Sequence, residues 1–220
     1  MPKTGEVSFE SLSDRESLLS FFQSQFPSAL KLIPELVDDY FDNPQGRLGT
    51  VRCSPWYFED KVLILGDASH AIVPFHGLGM NSGFEDCSEL IRLLDKHDED
   101  WAKVLEEFDR IRRPNAHAIA EMAIENYTTM RSSVADPKFQ LKKEVGFDLE
   151  KKFPNRFIPR YSMVMFHLIP YADAFTRGEI QQGILSELVE NCDSIGDVDF
   201  AKAEALVKAR LEEVAADTLG

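Results

Sequence analysis

The residues best suited to chemistry lie in one stretch, GDASHAIVPFHGLGMNSGFED, which runs from Gly66 to Asp86. Its first acidic residue, Asp67, follows an apolar run that is typical of a β-strand. Ligands of open α/β sheets bind at the carboxyl ends of the strands. A carboxylate at such a position can accept hydrogen bonds from the hydroxyl groups of a sugar, and we predict this role for Asp67.

Gly77, Gly79 and Gly83 follow Asp67 within the same stretch. Glycine lets the backbone approach a flat or phosphorylated ligand closely. Asn81 is typical of the residue that precedes a helix, and the first N–H groups of a helix are free to bind anionic atoms. The stretch therefore predicts a binding loop for a ligand that carries anionic atoms.

The spacing of the glycines leaves other interpretations open. It reads G-x-G-x-x-x-G after a loop, whereas the dinucleotide fingerprint G-x-G-x-x-G follows directly on a strand. A loop and helix start without any ligand would have the same pattern. Asp67, His70 and His76 are possible metal ligands. A hydrolase built on Ser69 and His70 is disfavoured, because adjacent side chains rarely point at each other.

The elements that must position this stretch are a strand and a helix. The predicted strand, Lys61 to Leu65, is apolar enough to be buried on both faces of a sheet. The helix after the loop is predicted to bury one apolar face, formed by Phe84, Cys87, Leu90, Ile91 and Leu94. A parallel sheet needs several strand and helix units, and this sequence holds one. We therefore expect an α/β (α+β) fold whose sheet is completed elsewhere or missing.

Other segments give weaker signals. Ser13 and Glu16 have the spacing of a capping box, and Gly49 to Tyr57 has the composition of a strand. The stretch 193–220 is predicted to be an acidic amphipathic helix in solvent. From Trp101 onward the pattern is mainly helical, with interruptions expected at Pro114, Pro137, Pro154, Pro159 and Pro170.

The composition excludes several classes of function. The 38 acidic and 24 basic residues give a net charge of −14, which opposes binding to nucleic acid or to an anionic membrane surface. No apolar run has the length of a membrane helix. Cys53, Cys87 and Cys192 form neither a disulfide framework nor a CxxC site, so a cytoplasmic location is expected.

The longer string GDASHAIVPFHGLGMNSGFEDC resembles the second flavin-binding motif of the flavin-dependent aromatic hydroxylases, most of all the kynurenine 3-monooxygenase group. The resemblance covers most of residues 8 to 190, through FFQSQFP, TVRCSPWYFEDKVLILGD, ENYTTMR and RFIPRYSMV. It implies the C-terminal portion of a Rossmann-like FAD-binding fold with a mainly helical C-terminal region. It also implies FAD as cofactor, NADPH as co-substrate and hydroxylation of L-kynurenine to 3-hydroxykynurenine.

The resemblance further implies roles for individual residues. In this family the acidic residue of the GD pair binds a ribitol or ribose hydroxyl of FAD, and the helix start contacts the flavin ring through its backbone. These roles fall on Asp67 and on the stretch Gly79, Met80 and Asn81. The family's substrate pocket corresponds to Asn126, Tyr161, Pro74, Phe75 and His76.

Two positions depart from the family. Members commonly have Phe and Gln where this sequence has His76 and Leu78, so its selectivity for kynurenine is an open question. The expected substrate is a small aromatic amino acid. The alternative to a cytoplasmic location is association with the mitochondrial outer membrane, as in animal members of the family.

The resemblance also places the family's N-terminal half, with its first G-x-G-x-x-G turn, outside this sequence. We therefore expect that the chain alone is not a competent monooxygenase and that a complementary N-terminal chain is a possible partner. The alternative is a non-catalytic remnant. The expected segments are a partial substrate domain (1–58), the second half of an FAD-binding domain (59–113), a substrate-lining helical region (114–192) and an acidic tail (193–220).

Overall fold

The computed structural model describes residues 2–132, 136–215 and 218. The chain divides into two compact units, of which the first ends at Leu48 and the second begins at Gly49. All the candidate site residues lie in the second unit. Its described residues are mostly helical, with one small two-stranded sheet.

The first unit is built on two short helices, α1 (Arg15–Gln25) and α2 (Leu36–Asp42). Leu18 is fully buried between them in a small apolar cluster. The predicted capping box was displaced by one residue, because the Asp14 carboxylate, not Ser13, accepts a hydrogen bond from the N–H of Ser17. A carboxylate accepts this bond as well as a hydroxyl does.

The predicted strands are much shorter in the structure. Strand β1 (Tyr57–Phe58) pairs antiparallel with β2 (Val62–Leu63), and Gly49 to Trp56 has no strand. The expectation of a strand buried on both faces was wrong, because Val62 is 51% exposed. A hairpin partner covers only one edge of a strand, and no other strand of the described residues lies beside it. A parallel sheet is therefore not found among the described residues.

The candidate loop contains a single-turn helix, α3 (Asp67–His70), and leads into α4 (Gly79–Lys96). Helix α4 starts at Gly79, so Asn81 lies in its first turn and does not precede the helix as predicted. The prediction of its buried face is confirmed for Leu90 and Leu94, which pack against an apolar cluster. It was wrong for the other three residues. Ser82, Asp86 and Leu93 are buried, whereas one face leaves apolar side chains in solvent, namely Met80, Phe84, Cys87 and Ile91.

The helical region consists of α5 (Trp101–Ser132), α6 (Pro137–Lys152), α7 (Arg160–Phe166), α8 (Tyr171–Val189) and α9 (Phe200–Arg210). Prolines lie at the start of α6, just before α7 and α8, and just after α6, as predicted.

Pro114 is an exception, because it lies inside α5 rather than interrupting it. It faces solvent, and the Asn115 side chain donates a hydrogen bond to the Ile111 carbonyl one turn earlier. Proline has no backbone N–H, so the carbonyl of Arg110, four residues before Pro114, lacks its usual helical donor.

The tail also differs from its prediction. Helix α9 packs against α8, and Ala203 and Val207 are fully buried in a cluster shared with α6 and α8. Most acidic residues of the stretch lie outside α9, which itself contains only Glu204, so the charge of the stretch did not indicate this contact. The tail is therefore part of the helical core up to Leu211 and is not a helix free in solvent.

Candidate functional site

The turn that carries Asp67 is shaped by glycine. Gly66 has φ 59° and ψ −143°, a backbone conformation that residues with a Cβ rarely adopt. Asp67 follows as the first residue of α3, and its side chain is exposed. Within the described residues the Asp67 carboxylate has no hydrogen bond or ion pair. It is therefore available to a ligand outside the chain.

The start of α4 offers backbone donors. Leu78 precedes the helix and makes no side-chain capping bond. The N–H groups of Gly79, Met80 and Asn81 lie in the first turn, where a helix has no acceptors of its own. Met80 is 69% exposed and Asn81 is exposed. These N–H groups, at the positive end of the helix dipole, fit a ligand with anionic atoms.

A buried carboxylate joins the Gly66 turn to α4. Asp86 is fully buried. Its Oδ2 accepts a hydrogen bond from Gly66 N at 2.9 Å and lies 2.6 Å from His70 Nε2. Its Oδ1 accepts a hydrogen bond from Arg112 Nε on α5 at 2.8 Å. The three donors come from the turn, α3 and α5, so one carboxylate fixes their relative positions.

The hydrogen bonds at Asp86 also set its charge. Burial alone would raise the pKa of this carboxyl, but the bonds from His70, Arg112 and Gly66 together lower the pKa below its ordinary value. Asp86 is therefore ionised at neutral pH. The charge of Arg112 is shared with Glu85, which lies 3.0 Å from its Nη1 and also accepts a hydrogen bond from the Tyr171 hydroxyl.

The loop between the turn and α4 is held against the helical region. Asn126 on α5 donates from Nδ2 to the Phe75 carbonyl at 2.6 Å. The His76 ring stacks on Tyr161 of α7, with 6.3 Å between the ring centroids. Leu78 is only 3% exposed in an apolar cluster with residues of α5, α7 and α8. The structure thus brings Phe75, His76, Asn126 and Tyr161 together.

The remaining predicted substrate residue, Pro74, is exposed at the outer side of the loop. His76 is half-buried, and burial, reinforced by the nearby Arg160 guanidinium, lowers its pKa below the ordinary value. The imidazole is therefore neutral at neutral pH. Its Nδ1 is buried and has no hydrogen-bond partner among the described residues.

A cavity of about 490 Å³ opens beside Asn126 and Tyr161. It lies among α5, α6, α7 and α8, and Arg160 and Gln181 also line it. Arg160 is ion-paired with Glu125 and Glu179, which places it firmly at one wall. This volume is in the range of sites that hold small organic molecules.

The metal-site and hydrolase interpretations of the loop have no support in this geometry. No group of three or more His, Cys, Asp or Glu side chains among residues 2–132, 136–215 and 218 is arranged to hold a metal ion. Ser69 donates to the Gly66 carbonyl, whereas His70 bonds Asp86. Ser69 and His70 therefore do not form a nucleophile and base pair.

Four residues of this network were not predicted from the sequence, namely Asp86, Arg112, Glu85 and Tyr171. One signal for Asp86 is present in the sequence. Ser82, Asp86 and Leu93 recur at helical spacing, so a charged residue shares a face with a buried leucine. Arg112 and Tyr171 have no such signal, because their contacts with α4 span 26 and 86 residues.

Comparison with known proteins agrees with this geometry. Residues 49–123 match a family described as the FAD binding domain. The match begins where the second structural unit begins, and it contains Asp67, the start of α4 and the Asp86 network. The chain is 46% identical to the kynurenine 3-monooxygenase of Flavobacterium johnsoniae, over 94% of its own length and 48% of that protein.

The chain matches the C-terminal half of these kynurenine 3-monooxygenases. The kynurenine 3-monooxygenase of Myxococcus xanthus is likewise 46% identical, over 96% of this chain and 45% of the relative. That of Legionella pneumophila strain Corby is 41% identical, over 92% of this chain. The chain thus spans about half the length of the curated kynurenine 3-monooxygenases that it matches. None of the helices described in the structure is long and apolar enough to cross a membrane.

Proposed function

We propose that this chain forms the C-terminal half of an FAD-dependent monooxygenase that uses NADPH to hydroxylate L-kynurenine to 3-hydroxykynurenine. The observation that carries the proposal is that one loop connects the predicted cofactor residues to the predicted substrate residues. The loop that begins at Asp67 and ends at α4 also carries Phe75 and His76, which contact Asn126 and Tyr161. A cofactor held by the first set would therefore lie next to a substrate held by the second.

The residues present fit a flavin. The free Asp67 carboxylate suits a ribitol or ribose hydroxyl, and the N–H groups of Gly79, Met80 and Asn81 suit the electron-rich pyrimidine edge of the ring. When bound, FAD supplies the redox and oxygen chemistry of such enzymes. The protein's share is electrostatic and positional. The helix start favours negative charge, and the Asp86 network holds the turn and the helix in one arrangement.

For the substrate, we assign Asn126 and Tyr161 to its polar groups and Pro74, Phe75 and His76 to the wall beside its ring. The Tyr161 side chain is 55% exposed, so its hydroxyl can reach a ligand. The neutral His76 keeps this wall uncharged. Asn126 Nδ2 is engaged by Phe75, which leaves its Oδ1 as an acceptor for a substrate ammonium group.

We also propose that a polypeptide corresponding to the other half of the relatives completes the site and the Rossmann-like sheet. Two exposed apolar surfaces support this. One is the face of α4 formed by Met80, Phe84, Cys87 and Ile91. The other is the two-stranded sheet of β1 and β2, where Phe58 and Val62 are 65% and 51% exposed. In this arrangement residues 59–113 complete the FAD-binding domain, and 114–192 line the substrate. The three free cysteines agree with a reducing compartment such as the cytoplasm.

The proposal is tested with a chimera that joins the N-terminal half of the Flavobacterium johnsoniae relative to this chain. We expect the purified chimera to retain FAD and to consume NADPH and form 3-hydroxykynurenine when L-kynurenine is added. The chain alone and the N-terminal half alone serve as controls and should form no product. A folded chimera that retains FAD but does not hydroxylate L-kynurenine would contradict the substrate assignment.

A further inference from the structure

The cavity beside Asn126 and Tyr161 has an unusual charge. The chain carries more acidic than basic residues, 38 against 24. Nevertheless, the described lining of this cavity includes three cationic side chains, Lys142, Lys143 and Arg160, and no carboxylate. A basic cavity in an acidic protein indicates a ligand with negative charge, since the surrounding surface would repel such a ligand everywhere else.

The three cations are not equivalent. Arg160 pairs with both Glu125 and Glu179, so its charge is balanced within the protein. Lys142 Nζ donates to the Ser186 hydroxyl at 2.9 Å, and Lys143 lies over the Phe147 ring at 5.9 Å from its centroid. Within the described part of the chain neither lysine has a carboxylate partner. Lys142 and Lys143 therefore provide the unbalanced positive charge of the cavity.

The other walls are suited to an aromatic ring. Phe139, Phe147 and Phe157 line the cavity together with Gly146 and Gly178, and the Arg160 side chain lies against Gly178. Gln181 is 3% exposed and its amide is held by the Ile158 carbonyl, so this wall is rigid. Aromatic walls bind a flat apolar group, and an ammonium group at the rim binds a carboxylate.

We propose that this cavity binds aromatic carboxylic acids, with Lys142 and Lys143 as the residues that select for the carboxylate. The cavity borders Asn126 and Tyr161, so it would receive an acidic aromatic substrate before the substrate reaches the flavin side of the loop. The inference rests on the proposed function only in naming this ligand as a substrate. Binding of an aromatic acid is a property of the chain itself. Inorganic phosphate has the charge but not the ring, and it tests whether charge alone is sufficient.

Binding to the intact chain is measured by NMR titration of the ¹⁵N-labelled protein with 3-benzoylpropanoate, its uncharged carboxamide and inorganic phosphate. We expect the acid to shift amide signals of α6, α7 and α8 around the cavity. The carboxamide should bind about tenfold more weakly, because it loses a hydrogen bond to a charged group. Phosphate should bind more weakly than the acid, and added salt should weaken binding of the acid.

The matched variants are Lys142→Gln with Lys143→Gln, and Lys151→Gln with Lys152→Gln. All four lysines lie on α6, but the second pair lies outside the cavity. The first double variant should lose about tenfold in affinity for the acid and none for the carboxamide. The second should bind both ligands as the unchanged chain does. Circular dichroism checks that both variants are folded.

Equal binding of the acid and the carboxamide, unchanged affinity in the first variant, or shifts away from the cavity would overturn the inference. Phosphate binding as tight as the acid would also overturn it, because the aromatic walls would then contribute nothing. These outcomes are independent of the chimera. An inactive chimera with selective acid binding rejects the proposed function alone, whereas an active chimera without acid binding rejects only this inference.

Discussion

Asn126 on α5 donates a 2.6 Å hydrogen bond to the backbone carbonyl of Phe75, a residue 51 positions earlier in the chain. The bond fixes the loop after α3 against the helical region at the point where the His76 ring stacks on Tyr161. A side-chain amide that bonds a distant backbone carbonyl acts as a clamp between two segments. It joins the residues that we propose bind the flavin to those that we propose bind the substrate.

The contact between this loop and α7 predicts the kinetic effect of Tyr161. In the active chimera, Tyr161→Phe should raise the KM for L-kynurenine about tenfold and leave kcat nearly unchanged, because the hydroxyl would bind the substrate and not the reacting atoms. Steady-state kinetics measure both constants. Met165→Leu, which changes an exposed side chain on the same helix, is the control. A fall in kcat with unchanged KM would contradict the assignment.

The buried Asp86 network predicts a large loss of stability. Asp86→Ala leaves the buried His70 ring without its hydrogen-bond partner and leaves Arg112 with Glu85 as its acidic partner. Removing one member of a buried ion pair costs about 3–5 kcal/mol. Urea unfolding, followed by the fluorescence of Trp56 next to His70, measures the loss. Glu89→Ala removes the exposed pair with Arg92 and should cost less than about 1 kcal/mol. Similar losses in the two variants would mean that the network does not hold the turn.

His76 predicts how stability changes with pH. Because its pKa is lowered in the folded chain, the unfolded chain takes up a proton first as the pH falls. The free energy of unfolding contributed by His76 is therefore fully present above the ordinary pKa of about 6.5 and decreases as the pH falls towards the lowered value. Thermal unfolding between about pH 7.5 and 5.5 tests this.

His76→Phe should make the melting temperature less dependent on pH over that range. His117, whose pKa is also lowered by burial, would account for part of the dependence that remains. An identical pH profile in the wild type and in His76→Phe would show that His76 is not desolvated in solution.

The packing of Arg160 predicts that two glycines respond differently to substitution. An added Cβ at Gly178 would overlap Arg160 Cδ, whereas one at Gly146 would lie 3.8 Å from the nearest atom, in Leu185. Gly178→Ala must therefore displace Arg160 from Glu125 and Glu179, and should lower both the stability of the chain and its affinity for 3-benzoylpropanoate. Gly146→Ala should be neutral or stabilising. Equal effects, measured by thermal unfolding and NMR titration, would contradict this packing.

Local patterns predicted the loop, the helix after it and most of the proline boundaries, because these depend on residues close in sequence. The buried face of α4 was predicted correctly for Leu90 and Leu94 and wrongly for the rest, for a physical reason. Periodicity identifies an apolar face, but it does not say whether the chain itself supplies the surface that covers it. Phe84 and Ile91 have the spacing of core residues and are exposed, whereas the charged Asp86 is buried.

The partners of Asp86 could not be predicted from spacing at all. Arg112 and His70 lie on different helices, and nothing in the sequence sets the distance of either from Asp86. The residues of the candidate site were identified by resemblance to a family, and the contacts that hold them together became visible only in the structure. Leu78 is an example, since it stands where the family commonly has Gln. The structure gives a reason for this difference, because Leu78 is buried among residues of α5, α7 and α8.

The most direct test of the account is the FAD content of the purified chimera with Asp67 intact and with Asp67→Ala. Asp60→Ala, which removes an exposed carboxylate from the turn between β1 and β2, is the matched control. We expect one FAD per chain in the unchanged chimera and in Asp60→Ala, and a loss of at least about tenfold in FAD affinity for Asp67→Ala. Equal FAD retention in all three proteins, or none in the unchanged chimera, would contradict the claim that this turn binds the flavin.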